Sequence, residues 1–200
     1  MPSPEKKRAW ALDQVLRSEY FHQKLHEWGV LELAYRIEQV KGERLTWDLQ
    51  ALGISERAWN KVIHRGIKPV IVFAHPQVLT TIPQAVGYYR MLAIVSQKSM
   101  NNVGLSTKSC ETGAKLPDQQ KAEEYASLLN TLISRLIEAD TNTDAREFDL
   151  WRAMAAGDQA GGSWRNAKGD KIELIVKGAV LKRIREQELI IEESPNRQQF

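Results

Sequence analysis

The sequence predicts a mainly α-helical protein with one short buried strand. Segments with apolar residues at 3.6-residue spacing recur along the chain, whereas a single run, Val70 to Phe73, is contiguous, β-branched and short enough for a buried strand. The composition agrees, since 200 residues with 42% hydrophobic content can bury a substantial core. At least six helices are expected.

The first runs from about Arg8 to Trp28, with Trp10, Leu12, Val15, Leu16, Tyr20, Phe21 and Leu25 along it and Gly29 as its break. A second spans Val30 to Val40 and ends at Gly42. Between Leu45 and Pro69 the chain reads LTWDLQALGISERAWNKVIHRGIKP. Leu49 and Leu52 suit a short helix before Gly53, and Ser55 is an N-cap for a helix carrying Ala58, Trp59, Val62 and Ile63 that Gly66 closes. Arg57, Asn60, Lys61 and His64 occupy its polar side. The outline fits a DNA-reading helix-turn-helix, and it equally fits two helices that only pack together.

The strand is placed at about Pro69 to Ala74, between two prolines. Pro83 suits a helix start, and apolar residues then run down to Met100. The next stretch, NNVGLSTKSCETGAKLPDQQ, lacks periodicity and reads as a long loop of the kind that often carries function. Lys121 to Ala139 is strongly periodic, and TNTD then caps a helix beginning AREFDLW. Gly157, Gly161 and Gly162 read as a flexible break before a last amphipathic helix with Ile172, Ile175, Val176, Val180, Leu181 and Ile184. A strand is expected at Leu189 to Ile191. These elements divide into a helical, DNA-contacting domain at 8–157 and a second domain from 163 to 200.

Lys and Arg number 28 against 25 Asp and Glu, so the net charge is +3 and the pI about 8.9. That balance permits an anionic partner through local clustering and excludes a general nucleic-acid coater. One cysteine, Cys110, excludes an internal disulfide and a multi-cysteine zinc site, and it favours a reducing, cytoplasmic setting. No run approaches the ~20 apolar residues of a membrane span, and no secretory leader is legible, so no membrane association is expected. Phosphate-cradling loops, dinucleotide fingerprints and nucleophile elbows are missing from the motif inventory, which leaves no case for a nucleotide cofactor.

His22 and His26 have the spacing of two zinc ligands, but no third ligand stands near them in sequence, so they read as an exposed helix face. The acidic stretches PDQQKAEEY and EADTNTDAREFD read as solvated faces and first-turn complements to the helix dipole. SQKSMNNVG differs, because it sets a lysine among amide and hydroxyl donors able to hold phosphate oxygens or base edges. The expected DNA-contacting residues are Arg57, Asn60, Lys61, Arg65, Arg90, Gln97, Lys98, Asn101, Asn102 and Lys108.

Three segments together resemble a known family: LGISERAWNKVIHRGIKPVIVFAHPQVL, IPQAVGYYRMLAIVSQKSMNNVG and SWRNAKGDKIELIVKGAVLKRI. They look like the amino-terminal part of the XcyI and Cfr9I group of type II restriction endonucleases, over about Ala11 to Leu189. The most specific portion is the arrangement of Ser163, Arg165, Gly169, Asp170, Glu173, Val176, Lys177 and Gly178. The resemblance implies a PD-(D/E)XK nuclease that hydrolyses DNA phosphodiesters with Mg²⁺ at a GC-rich palindrome, acting as a homodimer on double-stranded DNA. Glu173 would be the catalytic carboxylate at the metal, with Lys177 one turn later. The chemistry needs carboxylates for Mg²⁺, an activated water and a lysine against developing charge.

One departure accompanies the resemblance. The Pro-Asp and Glu-x-Lys strands of such nucleases should follow the Glu173 helix, yet Pro117-Asp118 precedes a helix and Glu5-Lys6-Lys7 lies at the terminus. The expectation is therefore an α/β nuclease domain that is carboxy-terminally incomplete, and a chain inactive by itself. A non-catalytic helix-turn-helix regulator and a helical scaffold remain as alternatives.

Overall fold

The computed structural model describes residues 3–140 and 144–186, and these are mostly helical, with no strand among them. Two compact units divide the chain, Met1–Ala160 and Gly161–Phe200. The helices are α1 (Pro4–Glu27), α2 (Val30–Glu38), α3 (Glu56–His64), α4 (Pro69–Val72), α5 (Pro76–Thr81), α6 (Ala85–Leu92), α7 (Gln97–Asn102), α8 (Lys108–Glu111), α9 (Gln119–Ala139) and α10 (Ala145–Glu186). A 3-10 turn lies at Gly42–Arg44. The strand expected at Leu189 to Ile191 and most of the TNTD segment lie outside the described residues.

The first unit is organised around α9. Its residues Ala122, Tyr125, Ala126, Leu129, Ile133 and Ile137 recur at helical spacing and are buried, and α9 packs against α3, α5 and α6. Removing one such large aliphatic side chain from water is worth roughly 1.5–3 kcal/mol, so this stripe anchors the core. Asp118 starts the helix by accepting the Lys121 N–H at 2.8 Å. By contrast, α1 buries none of its residues, and Trp10, Leu12, Val15, Leu16 and Leu25 stay exposed.

The expected strand at 69–74 is one turn of helix followed by extended Phe73 and Ala74. Burial of Val70 and Val72 was legible, but the backbone partners were not. A strand would pair its carbonyls with a neighbouring strand. Here the Tyr89 hydroxyl donates to Val70 O at 2.6 Å and the Tyr88 hydroxyl to Ile71 O at 2.7 Å. Pro69 at the helix start surrenders no intrahelical bond, and Phe73 N–H closes the turn on Pro69 O at 2.7 Å. Burial pushes the Tyr88 hydroxyl up to about 12 against the opposing pull of Arg152, so it stays a donor.

Three further expectations are corrected. No helix forms over Leu49 and Leu52: Asp48 accepts the Ala51 N–H at 3.0 Å and a single turn leads into α3. The helix through Met100 is two, because Ile94 takes a left-handed φ of 54° after α6 and Ser96 caps α7 by accepting the Ser99 N–H at 3.0 Å. Gly157, Gly161 and Gly162 do not break the chain, and α10 runs through them. Glycine inside a helix costs roughly 0.5–1 kcal/mol but keeps its N–H and introduces no clash, so flanking residues carry it. The long loop at 101–120 also contains the short α8.

Candidate nucleic-acid interface

Helix α3 forms as its sequence dictates. Ser55 accepts the Ala58 N–H at 3.1 Å, and at the other end Gly66, with φ of 67°, lets Ile67 N–H reach Val62 O at 3.2 Å. Ala58 and Val62 are buried, and α3 packs on α4 and α9. The opposite face holds Glu56, Arg57, Asn60, Lys61, His64 and Arg65 around one open recess. Within it, Lys61 is committed to the fold. Its ammonium donates to Ile137 O at 2.8 Å and to Asp140 O, satisfying carbonyls at the carboxy-terminal end of α9 where a cation is also favoured electrostatically. Arg57, Asn60 and Arg65 remain exposed. With only a turn before α3, the helix-turn-helix reading fails.

The second group lies on α7 and α8, where Lys98, Asn101, Asn102 and Lys108 are exposed. Their support is a buried polar network. Arg90 on α6 is 1% exposed, and its guanidinium donates from Nε to Glu111 Oε1 at 2.6 Å and from Nη2 to Glu111 Oε2 at 3.0 Å. It also donates to Val95 O at 2.7 Å and to the Gln159 side chain. The Glu111 carboxylate takes further bonds from Thr107 Oγ1 at 2.6 Å and Gln97 Nε2 at 2.7 Å. Burial alone would raise the Glu111 pKa, but the hydrogen bond and charge of Arg90, with Thr107 and Gln97, outweigh it and hold the carboxyl below its usual range.

Arg90 is therefore withdrawn from the expected contact surface, and Gln97 is half-buried with its amide on Glu111. Both order α7 from beneath. Gly87 makes this possible, since a Cβ there would stand 2.9 Å from Glu111 Cγ. The Arg90 and Glu111 partnership spans 21 positions and matches no local period, so no sequence pattern marks it. Equally illegible was a recess of about 500 Å³ between α2 and α6, whose walls include Glu27, Glu32, Arg36 and Glu111. Its carboxylates disfavour phosphate.

Glu173 and Lys177 lie in the second unit, on an exposed stretch of α10. Lys177 Nζ is 3.1 Å from Glu173 Oε1. On this helix Ser163, Asp170, Glu173 and Lys177 fall on one face, because their 7, 3 and 4 residue separations each complete nearly whole turns. Lys168 lies 5.8 Å from the Trp164 ring. His22 and His26 meet on α1 with Nε2 atoms 3.2 Å apart, both exposed. Among the described residues no three His, Cys, Asp or Glu side chains converge as a metal-holding group. Nor is any described helix long and apolar enough to cross a membrane.

No curated protein and no solved structure matches the chain. The family model described as XcyI restriction endonuclease does match, over residues 24–193. That span includes α3, α6 with α7, and the Glu173 arrangement, which fall in the three segments on which the resemblance rests. The chain belongs to the XcyI restriction endonuclease family.

Proposed function

We propose that this protein is a type II restriction endonuclease that binds a GC-rich palindromic duplex as a homodimer in the cytoplasm. The observation that carries this reading is the family match over most of the chain. A two-fold dimer presents the same surface to both halves of a palindrome. Arg57, Arg65, Lys98 and Lys108 contact phosphates, while Asn60, Asn101 and Asn102 supply the paired donors and acceptors that read base edges. The domain division follows the same reading, with 8–157 contacting DNA and 163–200 beginning the nuclease domain.

Salt dependence tests the surface. Neutralised phosphates release counterions, so removing one contacting charge should lower the slope of log affinity against log salt by about 0.9. Alanine at Arg57, Arg65, Lys98 and Lys108 together is expected to weaken duplex binding and flatten that slope. Unchanged affinity and slope would move the interface elsewhere.

Glu173 is the carboxylate that the resemblance implies at the divalent ion. Among the described residues it has only Asp170 as a second carboxylate on its helix face, short of the oxygen set that Mg²⁺ takes. In cleavage-competent protein, Glu173→Ala is expected to slow single-turnover cutting by at least roughly tenfold while Ca²⁺-supported binding holds. Lys177→Ala should cost less, because an exposed pair one turn apart is worth about 0.3–0.5 kcal/mol. Equal cutting by wild type and Glu173→Ala would reduce Glu173 to a surface carboxylate.

A further inference from the structure

Helix α6 ends in a way that the neighbouring helices avoid. Its closing bonds run from Ile94 N–H to Met91 O at 3.0 Å and from Val95 N–H to Arg90 O at 3.1 Å, a motif that needs a left-handed residue between them. Helices α3 and α7 make the same closure with Gly66 and Gly104, which accept positive φ without strain. At α6 the residue is isoleucine. Among the described residues Ile94 is the one non-glycine with positive φ, and a β-branched side chain is the costliest choice there.

Packing does not compensate. Ile94 is 43% exposed, and with Met154 and Asp158 it lines a recess of about 220 Å³. Its position is nevertheless rigid, because Arg90 holds the following carbonyl, Val95 O, at 2.7 Å while its own backbone oxygen accepts from Val95 N–H. Immediately beyond lies α7 with exposed Lys98, Asn101 and Asn102, and another exposed β-branched residue, Val103, closes that helix. Exposed apolar side chains thus bracket a set of base-edge donors. Strained backbone of this kind clusters at sites that contact ligands.

We infer that Ile94 is a specificity-determining residue, which rests on the DNA-contact reading above: its side chain packs on the apolar C5 edge of a pyrimidine in the groove that α7 faces. The left-handed backbone aims it there, and Arg90 is the positioning residue that keeps it aimed. Apolar contact of this kind discriminates between bases without adding charge, so it alters sequence preference and leaves phosphate attraction alone.

The test uses the full chain and a pool of short duplexes with randomised centres. Wild-type protein should enrich a sequence with a fixed pyrimidine. Ile94→Gly should lose preference at that position, binding the enriched duplex roughly tenfold more weakly with the salt slope unchanged. Its Tm should hold or rise, since glycine relieves the strained φ. Ile94→Leu should retain the preference. Lys98→Ala and Lys108→Ala should do the reverse, keeping the enriched sequence and lowering the slope. If both lysine variants weaken binding while Ile94→Gly keeps sequence and affinity, Ile94 reads nothing and only this inference falls. A Tm drop that accompanies lost preference would make Ile94 a packing residue, also overturning it. Binding insensitive to salt and to both lysines would remove the DNA-contact surface and this inference with it.

Discussion

Arg90→Ala is expected to lower stability by roughly 3–5 kcal/mol, because it leaves the Glu111 carboxylate buried without its cation. For a chain of this size each kcal/mol moves Tm by about 2–4 °C, so the fall should be roughly 6–20 °C. Glu111→Ala should cost a similar amount by stranding a guanidinium that is 1% exposed. Replacing both, with Arg90→Met and Glu111→Leu, should cost much less than either single change, since no uncompensated charge remains. Thermal and urea unfolding of the three variants checks this. Single variants within about 1 kcal/mol of wild type would show the pair to be solvated in solution.

The same pair sets an acid limit. Glu111 has a folded pKa below its unfolded value of about 4.3, so its contribution is complete above that pH and is lost as pH falls through the lower, folded value. Wild-type stability should therefore decline in acid more steeply than that of the Met and Leu double variant. Parallel pH profiles would overturn the assignment.

Asn130→Leu is the second large loss. The side chain is 0% exposed, and its Oδ1 accepts the Ala74 N–H at 2.7 Å while Nδ2 donates to Leu52 O at 3.0 Å and Ala74 O at 2.9 Å. The amide thus serves extended Ala74 as one residue of a neighbouring strand would. Leucine orphans those buried backbone groups at roughly 1–3 kcal/mol each, and the isosteric shape offers no replacement. Asn130→Asp should be worse still, because a carboxylate turns an acceptor toward Leu52 O and Ala74 O. Urea midpoints measure both, and a loss under about 1 kcal/mol for Asn130→Leu would mean that water takes over the role.

Much of the fold was legible locally. The cap at Ser55, the stop at Gly66 and the apolar stripe of α9 follow from side chains within four residues of the bonds they make. The three segments that carry the family resemblance were legible in the same way, as residue order alone. At the expected strand and at two basic residues the reading failed because the deciding partner was distant. Val70 to Phe73 has the composition of a strand, yet Tyr88 and Tyr89 on α6 supply partners to Ile71 O and Val70 O, and Asn130 on α9 to the adjoining Ala74. Positive charge was equally ambiguous. Lysine and arginine read the same in a sequence whether they face a phosphate or a carbonyl, so the internal commitments of Lys61 and Arg90 emerged only with α9 and Glu111 in place. The strain at Ile94 is likewise invisible locally, because isoleucine after a helical run reads as more helix. By itself, then, the sequence determined that most of the chain is helical, where α3 begins and ends and which family the chain joins. Tertiary structure alone decided which polar groups are spent inside and which are left outward, because desolvation and pairing depend on neighbours that chain order does not place side by side.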